Sequence, residues 1–381
     1  MNKDQRPILI LYASTGAGHM MAAAALREAF RAQAPNARIE VHDVLQSTSA
    51  LFRTLYAGGY IAIVNHMPVV MGMLYDAMDR PDRHLRDALR RSFQNLNGYR
   101  TMRYLVRSRP RLVVNTHYLP AEIVAYLRRA RRLDCPQVTV TTDFETHRIW
   151  VHPPTQRYYT ASEQGKAYLA TWGVDPGQVL VTGIPLRPGF QQPADRRKIR
   201  QRCQLDRARP MVLLLAGGFG VGPTEQALRE LMSIDADVQI VVISGRNEKL
   251  RRRLERLASD SDCPVRVLGY TDLMHEWMTA ADLVVSKAGG LTVAEALACG
   301  APMVVVNPIP GQEERNSDYV LEHGAGIKVN NLRMLGYRVN EALADPVHLR
   351  RLRRAARGIA RPDAAARIAT DALSLLEDRR V

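Results

Sequence analysis

The sequence predicts two doubly wound α/β domains facing each other across a cleft. Three observations predict them. The chain has 381 residues, more than one ordinary core takes in, and 46% of them are hydrophobic. Short apolar runs recur along it, each followed by helix-like sequence, the alternation that builds parallel sheets. That alternation starts twice, and each start is a strand leading through a glycine-rich turn into a helix.

Residues 7–13 (PILILYA) form the first strand, the turn Ser14-Thr15-Gly16-Ala17-Gly18-His19 follows, and MMAAAALREAFRAQ is an alanine-rich helix. Further strands are expected at 38–44, 111–115, 137–142, 157–161 and 179–182, with the helix AEIVAYLRRARR between the third and fourth. Two prolines and two glycines in residues 183–190 (GIPLRPGF) mark a linker. A second series of strands is expected at 211–218, 238–245, 265–270, 282–290 and 302–308. Residues from 349 onward read as a basic helical segment. The expected domains are therefore 1–187, 188–348 and a helical tail 349–381 that packs back on the first domain.

The charged fraction, 24%, excludes a disordered chain. The four cysteines, Cys135, Cys203, Cys263 and Cys299, are far apart and form no C-x-x-C pair, which fits reduced thiols in the cytosol rather than a disulfide framework or a zinc site. The opening MNKDQRPILILYAS lacks the pattern of a secretory signal. Net charge is +15, and residues 1–187 carry 24 Lys and Arg against 14 Asp and Glu. Ten arginines and two acids fall between positions 80 and 111, among them Arg83, Arg86, Arg90 and Arg91. Such a face suits anionic lipid, a phosphorylated ligand or nucleic acid, or is simply solvated; no nucleic-acid-binding motif accompanies it. Residues 54–75 contain no Asp, Glu, Lys or Arg. Pro68 and the pair Asn65-His66 argue against a spanning helix, so the apolar side chains there, including Tyr56, Ile61 and Val64, are expected to form a flap or to dip into one leaflet.

Four turns carry candidate chemistry. Gly16 and Gly18 lack the third glycine of the dinucleotide fingerprint, where Met21 stands, yet amides at a helix start still suit an anion. His19, in the first turn of that helix, is disfavoured as a cation by the helix dipole and so is a candidate general base; an ordinary surface histidine is the alternative. In the second turn, Gly217, Gly218 and Gly220 let backbone approach a diphosphate, or serve as a flexible connection. In the third, Ser286, Gly289, Gly290, Thr292 and Glu295 precede and open a helix; Glu295 either holds a ribose or forms a capping box with Thr292. Gln312, Glu313 and Asn316 are expected on a loop at the carboxyl edge of the second sheet, a place for hydroxyl-rich ligands, or at a helix start. Asp235 and Asp237 form a D-x-D that precedes a strand and reads as a surface loop.

Across nearly its whole length the chain resembles glycosyltransferase family 28, in particular the monogalactosyldiacylglycerol synthases and processive diacylglycerol glucosyltransferases. The resemblance is carried by ILILYASTGAGH, TTDFETHRIWVH, VTGIPLRPGF, VVISGRNEKL and the long block from VRVLGYTDLMHEW through PMVVVNPIPGQEERN. It departs at Ala17, where the family often has glycine, and at Thr155-Gln156-Arg157, where an aspartate is common. The resemblance implies a GT-B fold, with the acceptor on the first domain and a UDP-sugar on the second. It implies His19 as the base, with Asp143 of TTDFETH as the alternative. It also implies Glu295 as ribose ligand, Gln312 and Glu313 as sugar ligands, backbone near Tyr270 and Thr271 for uracil, and Arg246 on the donor side. The expected reaction is inverting transfer of galactose or glucose from a UDP-sugar to diacylglycerol, at the cytoplasmic face of a membrane with anionic lipids, by a peripheral enzyme without cofactor or metal. The rivals are a UDP-sugar 2-epimerase-like enzyme on a soluble substrate and a basic nucleic-acid-binding protein.

Overall fold

The computed structural model describes residues 6–14, 16–49, 73, 98–192, 194–217 and 222–377. Tyr56, Ile61, Val64, Arg83, Arg86, Arg90, Arg91, Gly218 and Gly220 lie outside the described residues. The chain divides into two compact units. One comprises Met1–Arg187 with Asp363–Val381, the other Pro188–Pro362.

The first unit holds β1 (Ile8–Tyr12), β2 (Ile39–Asp43), β3 (Leu112–Asn115), β4 (Gln137–Val140), β5 (Arg157–Thr160) and β6 (Val179–Val181). They form one parallel sheet in the order β2-β1-β3-β4-β5-β6. Helices α1 (Ala17–Gln33), α2 (Tyr99–Ser108), α3 (Tyr118–Arg129) and α4 (Glu163–Thr171) belong with it. The apolar run of β1 is continuous because both of its faces are covered. Ile8 and Ile10 pack with Ala23, Leu26 and Phe30 of α1, while Leu9 and Leu11 turn the other way, toward Leu105 of α2 and Leu119, Ile123 and Leu127 of α3.

The second unit repeats the plan with β7 (Met211–Leu215), β8 (Gln239–Ile243), β9 (Val265–Leu268), β10 (Leu283–Ser286), β11 (Met303–Val306) and β12 (Gly326–Val329), in the parallel order β12-β11-β10-β7-β8-β9. Its helices are α5 (Arg196–Arg202), α6 (Thr224–Met232), α7 (Glu248–Ser259), α8 (Met274–Ala280), α9 (Gly290–Ala298), α10 (Gln312–Glu322), α11 (Leu335–Ala344) and α12 (Pro346–Ile359). The edge strand β12 is absent from the sequence reading; it is short and carries Lys328, so no apolar run announces it. The strand expected at 282–290 stops at Ser286, and α9 begins at Gly290. Ahead of β10, Asp282 binds Arg196, Arg200 and Arg353 and accepts the Met211 amide at 2.9 Å, fastening α5 and α12 to the amino end of the sheet.

The expected tail beginning at 349 is therefore not one piece. α12 stays with the second unit, where Leu352 and Ala356 are buried and Arg353 reaches Asp282. Only the last helix, α13 (Ala364–Glu377), returns to the first unit. Its Ile368, Ala369 and Ala372 join the α1 face of the core. Asp371 there accepts from Arg157 Nε at 3.1 Å and from Tyr159 Oη at 2.7 Å.

Candidate functional site

In an open α/β sheet, ligands bind beyond the carboxyl ends of the strands, where the strand order reverses. The first sheet reverses between β1 and β3, and the second between β7 and β10. Asp143, Gly217, Arg246, Tyr270, Ser286 and Gly289 each fall just past or at the carboxyl end of a strand in one of the two sheets.

At the first switch point, β1 runs into Ser14, whose amide donates to Asp43 Oδ1 at 3.2 Å. The same carboxylate oxygen accepts from the Leu45 amide at 3.1 Å and so fixes the loop against the end of β2. Gly16 is the N-cap of α1 in extended backbone, with no side chain to cap the helix amides, and a Cβ placed on it would meet nothing within 4 Å. Gly16 and Gly18 thus leave the helix start uncapped.

His19 is the third residue of α1. Its Nδ1 lies 2.8 Å from the carbonyl oxygen of Thr116, just past β3, and 3.0 Å from Thr142 Oγ1, just past β4. A carbonyl oxygen only accepts, so the ring proton sits on Nδ1 and Nε2 is the nitrogen that takes a proton. Thr116 Oγ1 in turn donates to the His19 carbonyl at 3.0 Å, so two bonds clamp the helix start to the end of β3. Burial lowers the His19 pKa from 6.5 to about 4, against the opposing effect of the Thr116 bond. The neutral form expected from the helix dipole is present, but burial is its leading cause. Asp143 follows Thr142 directly and is buried.

The sequence reading missed the neighbours of His19. The His117 ring meets it edge-on at 4.5 Å between centroids, and Trp150 lies 6.3 Å away. His117 Nδ1 accepts from the Leu119 amide at 3.0 Å, capping α3 and placing its own proton on Nε2. Its pKa is lowered well below 6.5, first by burial and then by His19. Thr116 and His117 come from the connection after β3 and Thr142 and Trp150 from the one between β4 and β5, and no spacing in the sequence links them to position 19.

In the second unit, Gly217 stands two residues past β7 with φ +76°, a left-handed conformation that favours glycine. Gly222 closes the same loop at φ +126°. α6 starts behind Pro223 and α9 behind Gly289, both without a side-chain cap. Gly289 is the N-cap of α9, so Thr292 is its third residue and Glu295 its sixth. The capping-box alternative for Glu295 is thereby excluded. Glu295 is buried in the second turn of the helix and Ser286 at the end of β10.

Gln312, Glu313 and Asn316 lie within α10, not on a loop as expected, because Glu314 Oε2 accepts the Gly311 amide at 3.0 Å and starts the helix there. Glu313 Oε2 accepts from the Ile309 amide at 2.8 Å, while its Oε1 lies 3.7 Å from the point a Cβ on Gly289 would occupy. The starts of α9 and α10 therefore adjoin. Asn316 has no solvent-accessible surface. Beyond β8 and β9, the Arg246 guanidinium lies over the Tyr270 ring at 4.8 Å, so two residues assigned separately to the donor side meet. Thr271 Oγ1 accepts the Leu273 amide at 3.1 Å. Asp237 is exposed and paired with Arg209, as suits a surface loop. Among the described residues no three His, Cys, Asp or Glu side chains gather as a metal site, and no helix is long and apolar enough to cross a membrane.

Comparison with known proteins adds three findings. The family model for monogalactosyldiacylglycerol (MGDG) synthase matches residues 19–186, and the model for the glycosyltransferase family 28 C-terminal domain matches residues 223–368. A processive diacylglycerol beta-glucosyltransferase from Bacillus licheniformis is 30% identical over 355 residues, covering 93% of this chain and 91% of that protein. Among solved structures, Acinetobacter baumannii MurG superposes with a TM-score of 0.63 at 16% identity over 97% of this chain and 99% of the other. A putative UDP-N-acetylglucosamine 2-epimerase from Listeria monocytogenes gives 0.64 at 16% over 98% and 97%. These structural likenesses establish the GT-B fold and nothing narrower.

Proposed function

The chain belongs to the glycosyltransferase family 28 group of monogalactosyldiacylglycerol synthases and processive diacylglycerol glucosyltransferases, and from that premise we propose that it moves one hexose from a UDP-sugar to the free hydroxyl of diacylglycerol with inversion. The observation that carries the mechanism is the fixed tautomer of His19, held by the Thr116 carbonyl with Nε2 open to take a proton. The acceptor oxygen attacks the anomeric carbon as the bond from that carbon to the β-phosphate oxygen breaks. The electron pair leaves with UDP and the acceptor proton passes to His19 Nε2. With a pKa of about 4, the imidazolium returns its proton to solvent readily.

The second unit binds the donor in this reading. The uncapped starts of α6 and α9 present amides to the departing diphosphate, Glu295 holds the ribose, Gln312 and Glu313 take the hexose hydroxyls, and Arg246 with Tyr270 flanks the base. The enzyme acts as a peripheral protein at the cytoplasmic face of the membrane. Support for anionic-lipid contact comes from α2, where Arg100, Arg103 and Arg107 are exposed along one face beside Tyr99. No divalent metal takes part in this scheme.

Incubation with diacylglycerol and UDP-glucose or UDP-galactose in EDTA, with lipid products read by mass spectrometry, tests the reading. A monohexosyl-diacylglycerol from one donor is expected at an undiminished rate. A rate restored only by Mn²⁺ contradicts the metal-free scheme, and turnover of the UDP-sugar alone to an isomer favours the epimerase.

A further inference from the structure

A pocket at the second switch point is lined by Leu215, Ala216, Gly222, Thr224, Lys287 and Asn307, among others. Among the described residues that line it, Lys287 is the only charged one. It stands one residue past β10 and two before the N-cap of α9. A Cβ built on Gly222 would lie 3.1 Å from Lys287 Cε and 3.6 Å from its Nζ. The side chain therefore reaches across from the end of β10 to the loop that opens α6, and the missing side chain at Gly222 makes room for it. Gly222 sits at φ +126°, so the backbone there also requires glycine. Asn307 lines the same pocket with φ 43°, a conformation that asparagine tolerates better than most residues. No ion pair neutralises Lys287 among the described residues. An ammonium half-buried beside two uncapped helix starts, with no carboxylate partner, is a place for an anionic ligand.

We propose that Lys287 is the diphosphate ligand of the donor site. It binds the UDP phosphates from between the starts of α6 and α9 and neutralises the charge that builds on the departing β-phosphate. This rests on the donor reading above and adds a residue that neither the glycine turns nor the ribose and sugar ligands supply. It also gives the metal-free scheme the compact cation it otherwise lacks.

Calorimetric titration in EDTA with UDP, UMP and uridine tests it on wild type, Lys287→Met and Lys287→Arg, with thermal unfolding run in parallel. Wild type is expected to prefer UDP over uridine. Lys287→Met is expected to lose about 10- to 100-fold in UDP affinity, the scale of one charge-assisted contact, to lose less for UMP, and to keep its uridine affinity and melting temperature. Lys287→Arg is expected to recover most of the UDP affinity. Lys287→Met binding UDP as tightly as wild type overturns the assignment, as does a parallel loss for uridine and UDP, which marks Lys287 as structural. Wild type that shows no preference for UDP over uridine overturns the donor reading itself.

Discussion

Burial lowers the pKa of His19, and the Thr116 carbonyl fixes which ring nitrogen holds the proton. A histidine with the ordinary pKa is largely protonated at pH 5, whereas a pKa of about 4 keeps this ring neutral there. Neutral imidazole is the active form of a general base, so the acid limb of kcat/KM is expected near pH 4, with no inflection near 6.5. His19→Ala is expected to lower turnover by roughly two to four orders of magnitude with UDP affinity unchanged; near-normal turnover would move the role to Asp143. Glu295 is testable in the same terms. Since Gly289, not Thr292, occupies the N-cap position of α9, Glu295→Gln is expected to weaken UDP binding in calorimetry and to spare the melting temperature. The reverse pattern, a stability loss on the order of 1 kcal/mol with UDP affinity intact, would mark it as structural. His19 was legible in the sequence because a strand, a glycine turn and a helix start frame it. Thr116, Thr142 and Trp150 were not, because parallel pairing of β1, β3 and β4 brings them together from more than ninety positions away.

At the level of elements, strands buried on both faces were the easiest part to read. In the first sheet β1 and β3 follow from continuous apolar runs, which only a sheet covered on two sides accommodates, while the edge strand β2 (IEVHD) shows instead in its alternation. β12 escaped because an edge strand of four residues needs no such run. The start of α9 was placed late because the glycines after β10 read as part of the strand. The start of α10 was left open between loop and helix, and the Glu314 bond to the Gly311 amide settles it as helix. Helix α2 shows a different logic. Met102 and Leu105 face the core, while Arg100, Arg103 and Arg107 recur on the exposed side at three- and four-residue intervals. Changing these three arginines to glutamine is expected to weaken binding to anionic vesicles in sedimentation, each charge being worth about 1 kcal/mol near such a surface. UDP affinity should not change. Equal binding by variant and wild type would remove α2 from the membrane-facing surface.

At the scale of the molecule, two doubly wound units divide the chemistry. In the proposed reaction one orients a neutral histidine, and the other offers uncapped helix starts and a lysine to a diphosphate. The chain returns to the first unit only with α13, where Asp371 joins Arg157 and Tyr159. This division predicts a single displacement, because a base and a leaving-group site suffice for it and no side chain is assigned as a covalent nucleophile. UDP-hexoses carry the α configuration, so the anomeric configuration of the lipid product, read by proton NMR, tests the account most directly. A β-linked hexosyl-diacylglycerol, formed by the wild type and not by His19→Ala, is the predicted result. An α-linked product, or a β-linked one made equally well without His19, would contradict it.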